Sequence, residues 1–288
     1  DHLLTDSAAA ATAIATGHKT RNGYVGVGPD GAPLRSVLHA AEDRGLATGV
    51  VVTSRVTHAT PAAFIAHQPD RRDEEAIARD FLAVDLDLVI GGGRDKFDSR
   101  ADGERLTEQL TGRGVTVLDG LDAVLAAHTL PLYGFVHPGA PPKVTEGRKG
   151  ELPATAAHAL RLLAAQPNGF FLLIEGSQVD WAGHDNDGPW MLEELLDLDD
   201  TVAAVLDAAG ALGDVLVIAT GDHETGGFDL LATEEEPLKL TFGWNTDDHS
   251  ATMVPVFAKG PGAERFGGMY DNTDIARRIA ELLRLQGL

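Results

Sequence analysis

The sequence contains no cysteine, which excludes a disulfide framework, a thiol nucleophile and any zinc site built on sulfur. A metal bound to this chain must be held by His, Asp and Glu. Basic residues are scarce: Lys and Arg number 23 against 44 Asp and Glu, a formal net charge of −21 at pH 7. A phosphate backbone or an anionic lipid surface is repelled at long range, so nucleic-acid binding by charge is excluded. No apolar run approaches the ~20 residues that cross a bilayer, and the longest, such as that around Phe170 to Ile174, are strand-sized. No membrane partner is expected, and the chain reads as soluble. A signal-peptide pattern is missing as well, because Asp1 is followed almost at once by an Ala-rich segment of helical character.

What remains is a chain of 288 residues, long enough to bury a substantial core. Its acid surplus is mostly Asp and its basic residues mostly Arg, which reads as a well-solvated surface, with salt adaptation as the alternative. Short β-branched runs alternate with longer amphipathic ones, the pattern of parallel strands joined by helical crossovers. Strands are predicted at Gly49 to Thr53, Leu86 to Ile90, Val115 to Leu118, Phe170 to Glu175, Val215 to Thr220 and Val254 to Ala258, each apolar enough to be buried on both faces. Helices are predicted near Ser7 to Thr16, Leu34 to Arg44, Glu75 to Ala83, Gly103 to Arg113, Ala154 to Ala165, Met191 to Ala209 and Asn272 to Leu285. The expected fold is an α/β three-layer sandwich, a mostly parallel central sheet flanked by helices. The Pro- and Gly-rich stretch from His137 to Pro153 reads as a surface loop within a single domain over 1–288. The acidic triplet Glu234 to Glu236 reads as a solvated turn. No strand precedes the first helix, so the chain is expected to be N-terminally truncated, its first strand and signal region lying outside it.

Several positions could carry chemistry. Asp6-Ser7 precedes the small residues Ala8 to Ala11. As an N-cap it needs no function, but Ser7 would also stand at the positive end of a helix dipole, where an anion is favoured and a metal can ionise a hydroxyl. After the strand ending at Ile174 come Glu175, Asp180 and His184, the last two four apart and so on one face of a helical turn, a usual two-ligand grip for zinc. Asp222-His223 follows the strand ending at Thr220, and His249 sits just before the last strand. In open α/β sheets these strand ends face one crevice; each histidine alone is more often structural, but three such sets together point to metal. Thr60 and Glu175 offer the oxygens that Mg²⁺ prefers. Arg71 or Arg72 presents a planar fork matched to phosphate oxygens, with a surface ion pair to Asp70 or Asp73 as the ordinary alternative for one of them. Gly91 to Gly93 lacks the pattern of a phosphate-binding loop and reads as a tight turn.

Taken in order, these segments resemble the alkaline phosphatase family. The nucleophile motif is matched by Asp6-Ser7 through Ala13 with Thr16-Gly17-His18-Lys19-Thr20, and a second by His58-Ala59-Thr60-Pro61 with Ala66-His67 and Asp70-Arg71. Glu175-Gly176 through Asp180 to His184, then Gly221-Asp222-His223, then His249 with Val254 to Gly262 complete the series. The resemblance implies metal-dependent hydrolysis of small phosphate monoesters with two Zn²⁺ and one Mg²⁺, Ser7 being the nucleophile that forms a phosphoserine. It implies that Asp180, His184 and His249 bind one zinc, that Asp222 and His223 bind the other beside Ser7, and that Asp6 and Ser7 count among the metal-site residues. Thr60 and Glu175 would bind magnesium, and Arg71 would grip the transferring phosphoryl group. His58 and Trp181 stand at two positions that vary in the family, where some relatives carry Asp and Lys, and would support the metal and phosphate contacts from behind. A periplasmic or secreted setting is implied too, and a homodimer is left open.

The family's N-terminal strand ends in an aspartate that bridges the second zinc and the magnesium, and it has no counterpart in this chain. Two rivals follow. A phosphodiesterase of the same superfamily tends to use Thr as nucleophile, and an inactive metal- or phosphate-binding fragment would keep metal without turnover. A sulfatase is disfavoured, since Ser7 is followed by alanines rather than a Pro- and Arg-containing signature.

Overall fold

The computed structural model describes residues 2–231 and 241–288; the Glu234 to Glu236 triplet lies outside the described residues. In chain order the first half runs α1 (Ser7–Thr16), α2 (Val37–Asp43), β1 (Ala47–Arg55), α3 (Ala59–Ile65), α4 (Glu74–Asp80), β2 (Leu88–Gly92), α5 (Arg94–Asp98), α6 (Leu106–Gly112), β3 (Thr116–Asp119), α7 (Leu121–Leu125) and β4 (Leu132–His137). It continues with α8 (Glu151–Ala164), β5 (Phe170–Glu175), α9 (Gln178–His184), α10 (Gly188–Leu212), β6 (Val217–Thr220), β7 (Glu224–Thr225), β8 (Asp229–Leu231), β9 (Thr241–Gly243), β10 (His249–Ser250), β11 (Val256–Lys259) and α11 (Thr273–Leu283).

The central sheet has five strands in the order β3-β4-β2-β1-β5, all parallel. Alternation along each strand sends side chains to opposite faces, and this makes the layers. Val50, Val52, Val89, Tyr133, Phe135, Phe171 and Leu173 point into a core with α1, α2, α3, α4, α6 and α11. Their neighbours Val51, Leu88, Ile90, Leu132, Phe170, Leu172 and Ile174 pack on the other face against α7, α8 and Leu198 of α10. The α/β sandwich expected from the sequence is therefore present.

Three expectations need correction. Among the predicted strands β1 and β2 are largely buried along their length, as is β4; β3, β5, β6 and β11 are partly open, because they lie at edges. The last two predicted strands do not join the central sheet: β6 and β11 form a separate antiparallel pair. Gly91 and Gly92 are not a turn but the end of β2. A Cβ on Gly91 would stand 2.7 Å from Val56 Cγ1, and one on Gly92 2.2 Å from the Gly139 carbonyl, so the strand needs glycine where the chain crosses above it. The turn itself is left to Gly93, at φ 95°.

The stretch read as a loop before α8 is tied down. Arg148, almost fully buried, donates to the Pro142 carbonyl and pairs with Glu194 and Asp197 of α10. Glu194 and Asp197 also accept the backbone N–H groups of Val144 and Gly150. Gln178, at the start of α9, donates to the carbonyls of Thr53 and Pro141. The chain carrying Asp180 and His184 is thereby fixed to the carboxyl end of β1.

Candidate active site

The crevice lies beyond the carboxyl ends of β1 and β5. Ser7 opens α1, whose small residues Ala8, Ala10, Ala11 and Ala13 are fully buried and let the helix pack close to its neighbours. Asp6 caps it, Oδ1 accepting the Ala9 N–H at 2.9 Å, so the Ser7 hydroxyl sits at the positive end of the helix. Ser7 Oγ is 3.1 Å from His223 Nε2, and that nitrogen is 3.1 Å from Asp222 Oδ2. The His223 side chain is 2% exposed.

Asp180, His184 and His249 converge, with one donor atom of each lying within 4.8 Å of the others. His184 Nδ1 lies 2.7 Å from the Asp247 carbonyl and His249 Nδ1 2.6 Å from that of Thr5. Carbonyls only accept, so both Nδ1 atoms carry protons and, in the neutral rings, both Nε2 atoms present lone pairs. Those nitrogens face each other at 3.2 Å and each lies 3.5 Å from Asp180 Oδ1. Three lone-pair donors aimed at one point repel unless a cation lies among them. The residues present therefore fit a metal ion, and His/His/Asp is a donor set suited to zinc.

Electrostatics follow the same geometry. Burial opposes ionisation of Asp180, but hydrogen bonds from the protonated form of His249 and from Thr225, with the nearby His223 and His184, outweigh it and bring its pKa down to about 2. Burial disfavours charge on His249 too, yet Asp180 and the Thr5 carbonyl leave its pKa raised. Glu175 is pushed up to about 7 by burial, against hydrogen bonds from Ser177 and Thr60. Thr60, on the first turn of α3, thereby meets Glu175 at the end of β5.

His58 is held neutral, its pKa lowered to about 4 by burial and by Arg71 and Arg55, and it stands edge-on to Trp181 with ring centroids 5.6 Å apart. Its Nδ1 is buried without a partner among the described residues. Arg71 reaches inward, Nη1 donating to Asp6 Oδ2 at 3.2 Å with Nη2 3.3 Å from His58 Nε2. Arg72 instead forms a two-pronged pair with Asp70 at the surface.

Asp6, also predicted as a metal-site residue, makes three hydrogen bonds in the structure: Oδ1 accepts the Ala9 N–H, and Oδ2 accepts from the Gly23 N–H and Arg71. Four contributors went unseen in the sequence. Thr225 bridges Asp180 and His223, Ser177 donates to Glu175 at 2.6 Å, and the Thr5 and Asp247 carbonyls orient two imidazoles. Contacts between backbone carbonyls and distant rings leave no sequence signal; Thr225, two residues after His223, offered only its spacing.

A family model described as alkaline phosphatase matches residues 1–236 and 232–285. The chain belongs to the alkaline phosphatase family. Among relatives, alkaline phosphatase 3 of Bacillus subtilis (strain 168) is 31% identical over 359 residues, covering 98% of this chain and 77% of its own length. Streptomycin-6-phosphate phosphatase of Streptomyces griseus is 32% identical over 354 residues, covering 98% and 79%. The solved alkaline phosphatase of the Antarctic bacterium TAB5 superposes with a TM-score of 0.92 at 38% identity, over 99% of this chain and 85% of that one. Variants of the TAB5 enzyme in which a histidine is replaced by aspartate or glutamate hold Mg in a site called M3. This alkaline phosphatase is a metal-dependent phosphomonoester hydrolase, and no described helix is long and apolar enough to cross a membrane.

Proposed function

We propose that this alkaline phosphatase works through a phosphoserine on Ser7, with one Zn²⁺ held by Asp180, His184 and His249, a second by Asp222, His223 and Ser7, and Mg²⁺ by Thr60 and Glu175. When bound, the ions supply positive charge for the attacking and leaving oxygens and lower the pKa of the hydroxyl or water nucleophile. The observation that carries the reading is the meeting of three lone-pair donors beside a serine hydroxyl at a helix N-terminus.

The chain's own residues bind and orient. Ser7 Oγ is aligned by His223 Nε2, and the first turn of α1 favours the incoming anionic phosphoryl group. Arg71 presents its guanidinium from a half-buried position fixed by Asp6, which limits the freedom lost when it takes a phosphoryl oxygen. Neutral His58 packs behind it. The Mg-holding TAB5 variants, with a carboxylate in place of a histidine, support reading His58 as the position that tunes the third metal site.

Ser7→Ala tests the mechanism. Phosphoprotein trapped by acid quench from labelled phosphate should form on the parent and be absent from the variant, and turnover of p-nitrophenyl phosphate should fall by several orders of magnitude. Trapping at parental yield in the variant removes Ser7 from the mechanism. The bis-ester, run alongside, should turn over far more slowly than the monoester; the reverse would favour a diesterase. The resemblance also supports a periplasmic or secreted setting and a homodimer, which cell fractionation and native mass would check.

A further inference from the structure

Thr225 touches, through its hydroxyl, one residue from each of the two proposed zinc sets, Asp180 and His223. It lies in β7, buried, with its backbone opposite His249 in the β7–β10 ladder. Its hydroxyl is 2.5 Å from Asp180 Oδ1 and 3.2 Å from His223 Nδ1. The close approach depends on Gly183 of α9, where a Cβ would stand 3.0 Å from the Cβ, Cγ2 and carbonyl oxygen of Thr225.

A threonine hydroxyl carries one proton. An ionised carboxylate is an acceptor only, so the proton goes to Asp180. The hydroxyl oxygen then accepts from His223 Nδ1–H, and Nε2 of the neutral ring faces Ser7 Oγ and Asp222 Oδ2, an acceptor pair that a cation lying between them would satisfy. His184 and His249 have their tautomers set by backbone carbonyls. His223 Nδ1 has the Thr225 hydroxyl in that place. Reverse the hydroxyl and both halves lose: Asp180 Oδ1 would face an oxygen lone pair, and His223 would hold its proton on the wrong nitrogen.

We infer that Thr225 is a positioning residue that couples the two halves of the site, its hydroxyl taking direction from Asp180 and imposing on His223 the tautomer that aims Nε2 at Ser7. The inference rests on the metal assignment proposed above for its consequence, but not for its geometry. Orienting partners one step removed from a metal are typically worth 10- to 100-fold in affinity. The carboxylate of one ion and the imidazole of the other share this one hydroxyl, so its loss should be felt at both ions.

The test compares Thr225→Val, which keeps shape and removes the hydroxyl, with Thr225→Ser, which keeps the hydroxyl. In the metal-free full chain, ¹⁵N NMR of the histidine rings reads the His223 tautomer directly. The parent should show a protonated Nδ1, the valine variant a mixture, and the serine variant the parental state. In Co²⁺ titrations followed by visible absorption, the valine variant should bind at both steps about 10- to 100-fold more weakly with an altered spectrum, and serine should restore affinity to within a few-fold. An unchanged His223 tautomer in the valine variant overturns the inference, as does parental Co²⁺ affinity and spectrum. If the valine variant does not fold, the serine variant decides: a parental tautomer supports the inference and a mixed one overturns it. A tautomer shift in a chain whose parent binds no Co²⁺ would leave the coupling standing and remove the metal assignment instead.

Discussion

Arg71 and Arg72 are adjacent in sequence and differ almost completely in surroundings. The Arg71 side chain is 24% exposed and Arg72 86%; the first points at Asp6 and His58, the second closes on Asp70 at the surface. Arg71→Ala should therefore weaken inhibition by free phosphate by about 10- to 150-fold, the loss of a charge-assisted contact worth roughly 1.5–3 kcal/mol, while Arg72→Ala should change it by less than about twofold, as for an exposed ion pair. Equal effects in a phosphate inhibition series would remove Arg71 from the clamp. The sequence alone left this choice between the two arginines open until the family resemblance named Arg71. Ser7, Asp180, His184, Asp222, His223 and His249 were legible because each belongs to a short local pattern at a helix start or a strand end. What was not legible depends on contacts between distant segments: Thr5 to His249, Asp247 to His184, Thr225 to Asp180. The contacts of Asp6 were hidden for the same reason, since nothing local announces that its Oδ2 accepts from the Gly23 N–H and Arg71.

Elements were legible in proportion to their length and apolar content. The boundaries of α1 and β5 match the structure, since an N-cap followed by alanines and a continuous apolar run are each unambiguous. β4 went unpredicted because Gly134 interrupts its apolar character, and the structure shows why glycine is there: a Cβ would meet Val124 of α7 at 2.6 Å. The five-residue helices α5 and α7 fall below the length at which periodicity can be read. The tie between residues 142–150 and α10 is the element-scale feature with the largest expected energetic effect. Arg148→Ala leaves Glu194 and Asp197 buried without their counter-charge, so urea denaturation should show a loss of roughly 3–5 kcal/mol; Arg148→Met, which keeps the volume, should lose as much, because the uncompensated charge is the cause. A loss under 1 kcal/mol in both would mean the network is dispensable. A second element, α2, brings a pH dependence. His39 Nε2–H donates to the Ile65 carbonyl and Nδ1 accepts the Ser36 N–H, so the ring is held neutral, and burial with the adjacent His67 lowers its pKa from 6.5 to about 4. The unfolded chain binds this proton first. Stability from this group is present above pH 6.5 and falls as pH drops toward 4, by up to roughly 3 kcal/mol. Urea midpoints should decline over that window in the parent and less steeply in His39→Gln; identical slopes would exclude His39 as the cause.

At the scale of the whole molecule, a net charge of −21 sets the conditions under which the site can hold together. Asp180, Asp222 and Glu175 gather in one crevice of a strongly acidic protein, and in the folded chain they repel one another and the rest of the surface. Burial pushes Glu175 up to about 7, and the charges of Asp222 and Asp180 add a smaller push in the same direction. Cations that bind the folded crevice relieve this, and by linkage they stabilise the fold by about 4 kcal/mol at a free concentration 1,000 times Kd. For a chain of this size each kcal/mol moves Tm by about 2 °C, so exhaustive chelation should lower Tm by roughly 8 °C. Screening separates the two contributions. The Debye length falls from about 10 Å at 0.1 M salt to about 3 Å at 1 M, so NaCl should raise the Tm of the chelated protein by reducing surface self-repulsion. Contact-distance ligation in the crevice is screened far less, and the gap between metal-loaded and chelated protein should shrink without closing. Differential scanning calorimetry at 0.05 M and 1 M NaCl, each with Zn²⁺ and Mg²⁺ or with EDTA, gives the four values required. A gap that vanishes at 1 M salt would mean that the ions act as diffuse counter-charge rather than as ligated metals, and no gap at either salt would mean that the folded crevice does not retain them.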